Sequence, residues 1–425
     1  LAIPTTISML VTVIYNTADT YFVSQINKSA SAAVGMVYTL MAILQAVGYG
    51  LGMGAGSLIS RKLGEKDDDA AERYAVSAFV AAILAGAVVG WGCLAGLKPI
   101  LRALKCTDTM LPYAVPYARW ILLVAPVSCA SFVLNNTLRA EGESTLAMWG
   151  LGLGGVLNIV LDLWLVMGLH MNVQGAALAT AIAEYATLLV GLGMARKVLV
   201  MRGISWAMLK TAWQGDFRRL LALNRDIMLR SLLLQLCFGA VTVFGARLGS
   251  EVVAVNAVLM TMLTFTAYAL DGFAYAVEAH SGQAYGARDG SKLLEVWRAA
   301  CRQAGVVALA FALIYALLGE HIVALLTSLP ELQQLADRYV LWQAVLPVIG
   351  VWCYLLDGMF IGATRGAEMR NSMAVAAAGF ALTMLALPLL GNHGLWLALA
   401  VFLALRGLAL AFIWRRHWKN NSWFA

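Results

Sequence analysis

Apolar residues in this chain come in long, nearly unbroken runs. Each is roughly 20 residues or more, the length an α-helix needs to cross the ~30 Å hydrocarbon core of a bilayer. The runs fall at 2–25, 31–60, 72–97, 109–138, 145–169, 174–199, 219–247, 253–284, 295–327, 333–362, 369–390 and 394–415, separated by short segments carrying Gly and charge. The pattern predicts an all-α integral membrane protein with twelve transmembrane helices.

The runs also repeat, at an offset of about 222 residues, longer than any solenoid unit. SRKLGEKD around Gly64 aligns with GQAYGARD around Gly286, and Tyr117, Trp120 and Pro126 align with Tyr339, Trp342 and Pro347. LRAEG at 138–142 resembles ATRGA at 363–367, and Gly175 lines up with Gly394. A duplicated unit with an even number of spans keeps its orientation. Two parallel-repeat six-helix lobes are therefore expected, 1–199 and 219–425, joined by a linker at 200–218, with a central cavity where they meet.

Composition agrees: of 425 residues 61% are hydrophobic and 12% charged, too little polar surface for a water-soluble fold. The net charge of +7 does not point to nucleic acid, because the basic residues sit in short loops rather than on one face. Assigning loops alternately to two sides puts about 22 Lys and Arg on one side and about five on the other. Both termini and the 200–218 connection are then expected in the cytoplasm, with the spans in a bacterial inner membrane. Six cysteines are scattered singly, so neither a disulfide nor a metal site is expected. The chain starts at Leu1, inside the first run, so a short leader is expected upstream, although no cleavable signal peptide precedes that run.

An ionisable side chain at mid-bilayer costs on the order of 2.5–3.5 kcal/mol, so each one within a span is a functional candidate. Asp19 lies deep in the first run, within YNTAD, with Tyr15 one turn earlier. Asn158 and Asp162 form an i,i+4 pair on the fifth run, and Thr180 and Glu184 another on the sixth. Carboxylates with amide and hydroxyl oxygens beside them can hold a proton or a small hard cation, and so couple an ion gradient to a change of shape. The plainer alternative is interhelical hydrogen bonding. In the second half Asp271 and Glu278 lie seven residues apart on the eighth run, and Asp357 lies on the tenth. Arg406 on the twelfth is the obvious counter-charge, and with Arg119 and Arg338 makes up the basic residues read as lying inside spans. A structural ion pair is the plainer alternative there. Gly runs such as GYGLGMGAG at 48–56 mark close helix packing. The nucleotide-binding GxxxxGK[ST] and the hydrolase HExxH are absent. That leaves a secondary transporter rather than an enzyme or an ATP-driven pump.

At YNTAD, at the N-xxx-D of the fifth span and at GAALAT in the sixth, the sequence resembles the MATE (multidrug and toxic compound extrusion) family over essentially the whole chain. From about residue 150 onward it is most similar to an enterobacterial branch, and before that to drug exporters of Gram-positive bacteria. The resemblance implies the MATE fold and a monomeric antiporter. Such a protein exports lipophilic, often cationic, drugs and toxic compounds, with protons as the coupling ion and sodium as the alternative, and needs no cofactor. Its partners would be those small molecules and membrane lipids. The family's N-lobe cation site falls on Asp19, Asn158, Asp162 and Thr180, with Tyr15, Glu184, Asp271, Glu278, Asp357 and Arg406 as additional candidates. Two departures stand out. Leu163 follows Asp162 where the family often has Pro, so no proline bend is expected there. Leu234 and Gln235 occupy the place of a span-seven glutamate that serves sodium in one branch. A flippase for lipid-linked precursors, from the wider superfamily, is the rival reading.

Overall fold

The computed structural model describes residues 2–24, 28–103, 111–141, 144–201, 217–327, 329–385 and 387–424. Among them there is no strand. The first six segments are α1 Ala2–Ser24, α2 Lys28–Gly64, α3 Asp68–Gly86, α4 Gly92–Ala95, α5 Leu97–Ala103 and α6 Leu111–Leu123. They are followed by α7 Ala125–Ala140, α8 Ser144–Asp162, α9 Asn172–Met201, α10 Phe217–Leu248, α11 Ser250–Gly286 and α12 Gly290–Leu326. The last five are α13 Pro330–Asp337, α14 Val340–Gly362, α15 Gly366–Met384, α16 Leu387–Leu390 and α17 Asn392–Lys419. Two wide π turns, Ala87–Trp91 and Leu163–Gly168, continue α3 and α8.

Among the described residues eight helical segments are long and apolar enough to cross a membrane, and nine if the bent pair α6–α7 is counted as one span. Burial is inverted relative to a water-soluble protein: Leu317 and Phe412 are 76% and 70% exposed while Asn158 and Asp162 are 2% and 0% exposed. Exposing that much aliphatic and aromatic surface is favourable only against lipid.

Four predicted runs are not single helices; the eleventh is divided between α15 and α16. The fourth breaks at Val124 with a 51° bend, because Pro126 in the first turn of α7 has no N–H to continue the ladder from α6. The tenth breaks at Arg338–Tyr339, so that α13 stands apart from α14. The third passes through the first π turn and ends at Ala95, and α5 is a separate helix.

The chain divides into two compact units, Ile3–Met228 and Leu229–Ala425. The repeat seen in the sequence is reproduced in backbone detail. Lys66 and Arg288 both adopt positive φ, 60° and 54°. The next residue in each case, Asp67 or Asp289, caps a helix by accepting the N–H of Ala70 or Lys292 at 3.2 Å.

In the first unit the glycines of α2 do what their sequence suggests. A methyl group at Gly52 would lie 2.7 Å from the Phe132 ring of α7, and one at Gly48 would touch the Cys129 sulfur at 3.4 Å. In the second unit Gly358 and Gly362 of α14, a G-x-x-x-G pair, bring that helix against α11. A Cβ there would stand 2.6 Å from the Ala274 carbonyl and 2.8 Å from the Glu278 carbonyl. The chain's last residues fold back onto this unit. Trp423 is 1% exposed, with its ring against Phe360 and Tyr285, and Arg365 donates to the Ser422 and Trp423 carbonyls at 3.0 and 2.7 Å.

Candidate functional site

Asn158 and Asp162 stand on consecutive turns of α8, and Thr180 and Glu184 on consecutive turns of α9. The two helices are joined by a short turn and pack side by side, which makes them antiparallel neighbours. Two close approaches fix their register. Gly154 of α8 lies directly against Thr187 of α9, and at the other end Gly175 comes within reach of the Leu165 carbonyl. Stepping along α8 from Gly154 by four and by eight residues reaches Asn158 and Asp162. The matching steps back along α9 from Thr187 reach Ala183 and Ala179, the residues just before Glu184 and Thr180. Asp162 and Thr180 thus lie within about one residue's rise of each other along the helix pair, as do Asn158 and Glu184.

Asn158, Asp162 and Thr180 are all buried and Glu184 is half-buried. Thr180 Oγ1 donates to the Ala176 carbonyl at 3.1 Å. Tyr15 and Asp19 are placed on α1, but their side chains lie outside the described residues.

Beyond Asp162 the helix changes character. With Leu163 in place of proline the backbone is not kinked. It widens into the π turn Leu163–Gly168, which closes with the Leu169 N–H on the Trp164 carbonyl at 2.8 Å. Such one-turn widenings recur at functional positions in helices.

In the second unit Asp357 of α14 is the centre of a buried ion cluster. Its Oδ2 accepts from Arg406 of α17 at 2.5 Å and from Arg230 of α10 at 2.7 Å, and all three side chains are at most 7% exposed. Asp271 of α11 lies within electrostatic reach of both guanidinium groups and of Asp357. Two guanidinium groups and two carboxyl groups therefore share this part of the unit. Arg406 also stacks over the Phe402 and Tyr354 rings at 5.6 and 5.8 Å.

The expected pairing with Arg406 is present, and Arg230 is the residue the sequence reading passed over. It falls inside the seventh predicted run, contrary to the expectation that Arg119, Arg338 and Arg406 are the basic residues within spans. Arg119, by contrast, is exposed, and Arg338 lies at the break between α13 and α14. The signal was an arginine in the apolar stretch IMLRSLLL. Arg230 lies one helical turn before Leu234 on α10. Glu278, two turns beyond Asp271, is buried where α11 meets Gly362. Three further charged residues that the sequence reading did not single out, Glu72, Arg139 and Glu141, are buried at the adjoining ends of α3 and α7.

The MatE family model matches residues 4–164 and again 227–390, one copy in each half. DNA damage-inducible protein F of Escherichia coli (strain K12) is 65% identical over 375 residues, 88% of this chain and 82% of that protein. A match of 375 residues cannot fit after residue 150, so this similarity reaches well into the first part of the chain. Multidrug export protein MepA of Staphylococcus aureus (strain MRSA252) is 34% identical over 199 residues, 44% of this chain and 42% of that protein. Among solved structures, a crystal structure of MATE in the straight conformation superposes with a TM-score of 0.90 over 99% of this chain and 95% of the other, at 24% identity. A MOP superfamily transporter from Pyrococcus furiosus gives 0.86 over 98% and 94%, at 25% identity.

Proposed function

Because this chain belongs to the MatE family of transporters, we propose that it exports lipophilic, often cationic, drugs and toxic compounds across a bacterial inner membrane by proton antiport. In this reading it works as a monomer of twelve spans in two six-helix lobes, with both termini and the 200–218 connection in the cytoplasm. It needs no cofactor. The observation that carries the reading is the fully buried carboxylate of Asp162, one turn from the buried Asn158 on α8. A carboxyl group closed off from water exchanges its proton only when a path to one side is open.

Compound binds from the cytoplasm while Asp162 and Asp19 are ionised. Their protonation from outside then favours the outward conformer, and compound leaves. The same set of oxygens suits a small hard cation, which makes sodium the second coupling ion to test. The second unit supports coupling through the first: Asp357 already holds two guanidinium groups on its Oδ2.

The test is efflux of a fluorescent cation from proteoliposomes under an imposed proton or sodium gradient. The parent pumps under the proton gradient, and Asp19→Asn and Asp162→Asn abolish that response while leaving the protein folded. Pumping by both variants at the parental rate under both gradients overturns the proposal. A response to sodium alone replaces the proton as coupling ion.

A further inference from the structure

The start of α12 and the end of α17 carry charge and aromatic rings that neither the ion cluster nor the carboxylate site uses. α12 has 37 residues, about 55 Å of helix at 1.5 Å per residue. Its apolar part, 304–326, suffices for the ~30 Å hydrocarbon layer. The stretch 290–303 therefore projects beyond it. On this stretch Leu293 and Ala300 face the protein, 1% and 8% exposed, and Lys292, Arg298 and Arg302 face outward. At the end of α17 Arg415, Arg416 and Lys419 are likewise exposed.

Four rings connect the two helix ends. Trp297 of α12 lies 6.0 Å from Trp414 of α17, Trp414 lies 5.5 Å from Trp418, and Trp418 lies 6.5 Å from Phe424. Gly290, at the start of α12, allows the contact, since a Cβ there would stand 3.2 Å from the Trp418 ring. Tryptophan collects where acyl chains give way to headgroups, so this ladder sets the depth of the surrounding charges.

Among the described residues none of the six basic side chains forms an ion pair. Asp289 has its carboxylate turned to the helix start as a cap, and Glu295 is the exposed acid on the same stretch. A dense, uncompensated positive rim at headgroup depth, backed by indole rings, is complementary to one abundant partner.

We propose that this end of the second unit is a binding surface for acidic phospholipid, with Arg298, Arg302, Arg415 and Arg416 on the headgroup phosphates and Trp414 and Trp418 against the glycerol and upper acyl chain. A free anion would use the charges but not the rings, and an acidic protein would have no reason to match their depth.

The experiment reconstitutes the full chain in nanodiscs of mixed phosphatidylcholine and phosphatidylglycerol. Native mass spectrometry then counts the lipids retained on release. The parent retains phosphatidylglycerol in preference. The variant Arg298→Gln/Arg302→Gln/Arg415→Gln/Arg416→Gln loses that preference by at least about tenfold, since each basic residue at an anionic surface is worth about fivefold in occupancy. The corresponding four-lysine variant restores most of it and shows that the protein is folded. The comparator Arg218→Gln/Arg219→Gln/Arg225→Gln, which removes exposed charge at the start of α10, leaves the preference unchanged. An equal loss in the comparator overturns the proposal in favour of a diffuse charge effect. Retained preference in the four-glutamine variant overturns it outright, as does capture of soluble polyglutamate with no preference between the lipids.

Discussion

Replacing Asp357 by Asn removes one charge from a place where two guanidinium groups converge on a single oxygen, at 2.5 and 2.7 Å, with side-chain exposures of 3% and 7%. The shape is kept and the charge balance is not. The cluster loses one negative charge from between two buried guanidinium groups. Leaving a buried charge without its partner costs about 3–5 kcal/mol. At about 2–4 °C per kcal/mol this lowers the midpoint of thermal unfolding by roughly 6 °C or more. The assay is a thermal shift measured in detergent and followed by loss of monodisperse protein. A second variant isolates the cause. Arg230→Gln/Asp357→Asn deletes more polar contacts than the single change, yet removes one guanidinium along with the carboxylate, so it unfolds at a higher temperature than Asp357→Asn alone. An unfolding midpoint for Asp357→Asn within about 2 °C of the parent, or a double variant weaker than the single one, refutes the charge accounting.

Two further outcomes follow from packing. Gly358→Leu forces a side chain against the Ala274 carbonyl, which a Cβ alone would already approach to 2.6 Å. Overpacking of that kind costs about 1–3 kcal/mol, and the same thermal assay reads it, whereas Gly239→Leu, with open space around it, leaves the midpoint where it was. Arg365→Ala removes both donors to the Ser422 and Trp423 carbonyls and the cation over the Trp423 ring at 4.9 Å. Limited proteolysis then cleaves the 419–424 stretch of the variant within minutes while the parent resists.

How much of this was legible beforehand depended on whether the controlling interaction was local. Each predicted run corresponds to helix because burial in lipid demands closed backbone hydrogen bonding whatever the tertiary partners. The repeat was legible to single residues: Lys66 and Arg288 share a left-handed backbone, and Asp67 and Asp289 share a cap. The pairing of Asn158 with Asp162 was legible because it is one turn of one helix. Arg230 was not, because its partner is 127 residues away and a hydropathy window averages one guanidinium into the leucines around it. Nor was the docking of Trp423, whose partners come from the ends of α11, α14 and α15, all remote in sequence from a tail that reads as polar.

The π turn after Asp162 holds one residue more than an α-turn would. Side chains of the π turn itself are consequently out of phase with those before Leu163, even where their spacing is a multiple of four. A helical wheel drawn straight through the fifth span assigns the wrong residues to the lipid side beyond this point. Deleting one residue between Leu163 and Gly168 would not merely shorten the helix. It would turn the last residues of the helix, and with them the start of the turn into α9, by about 100°, so the segment's tolerance to length changes, rather than to substitution, is where its role would be written.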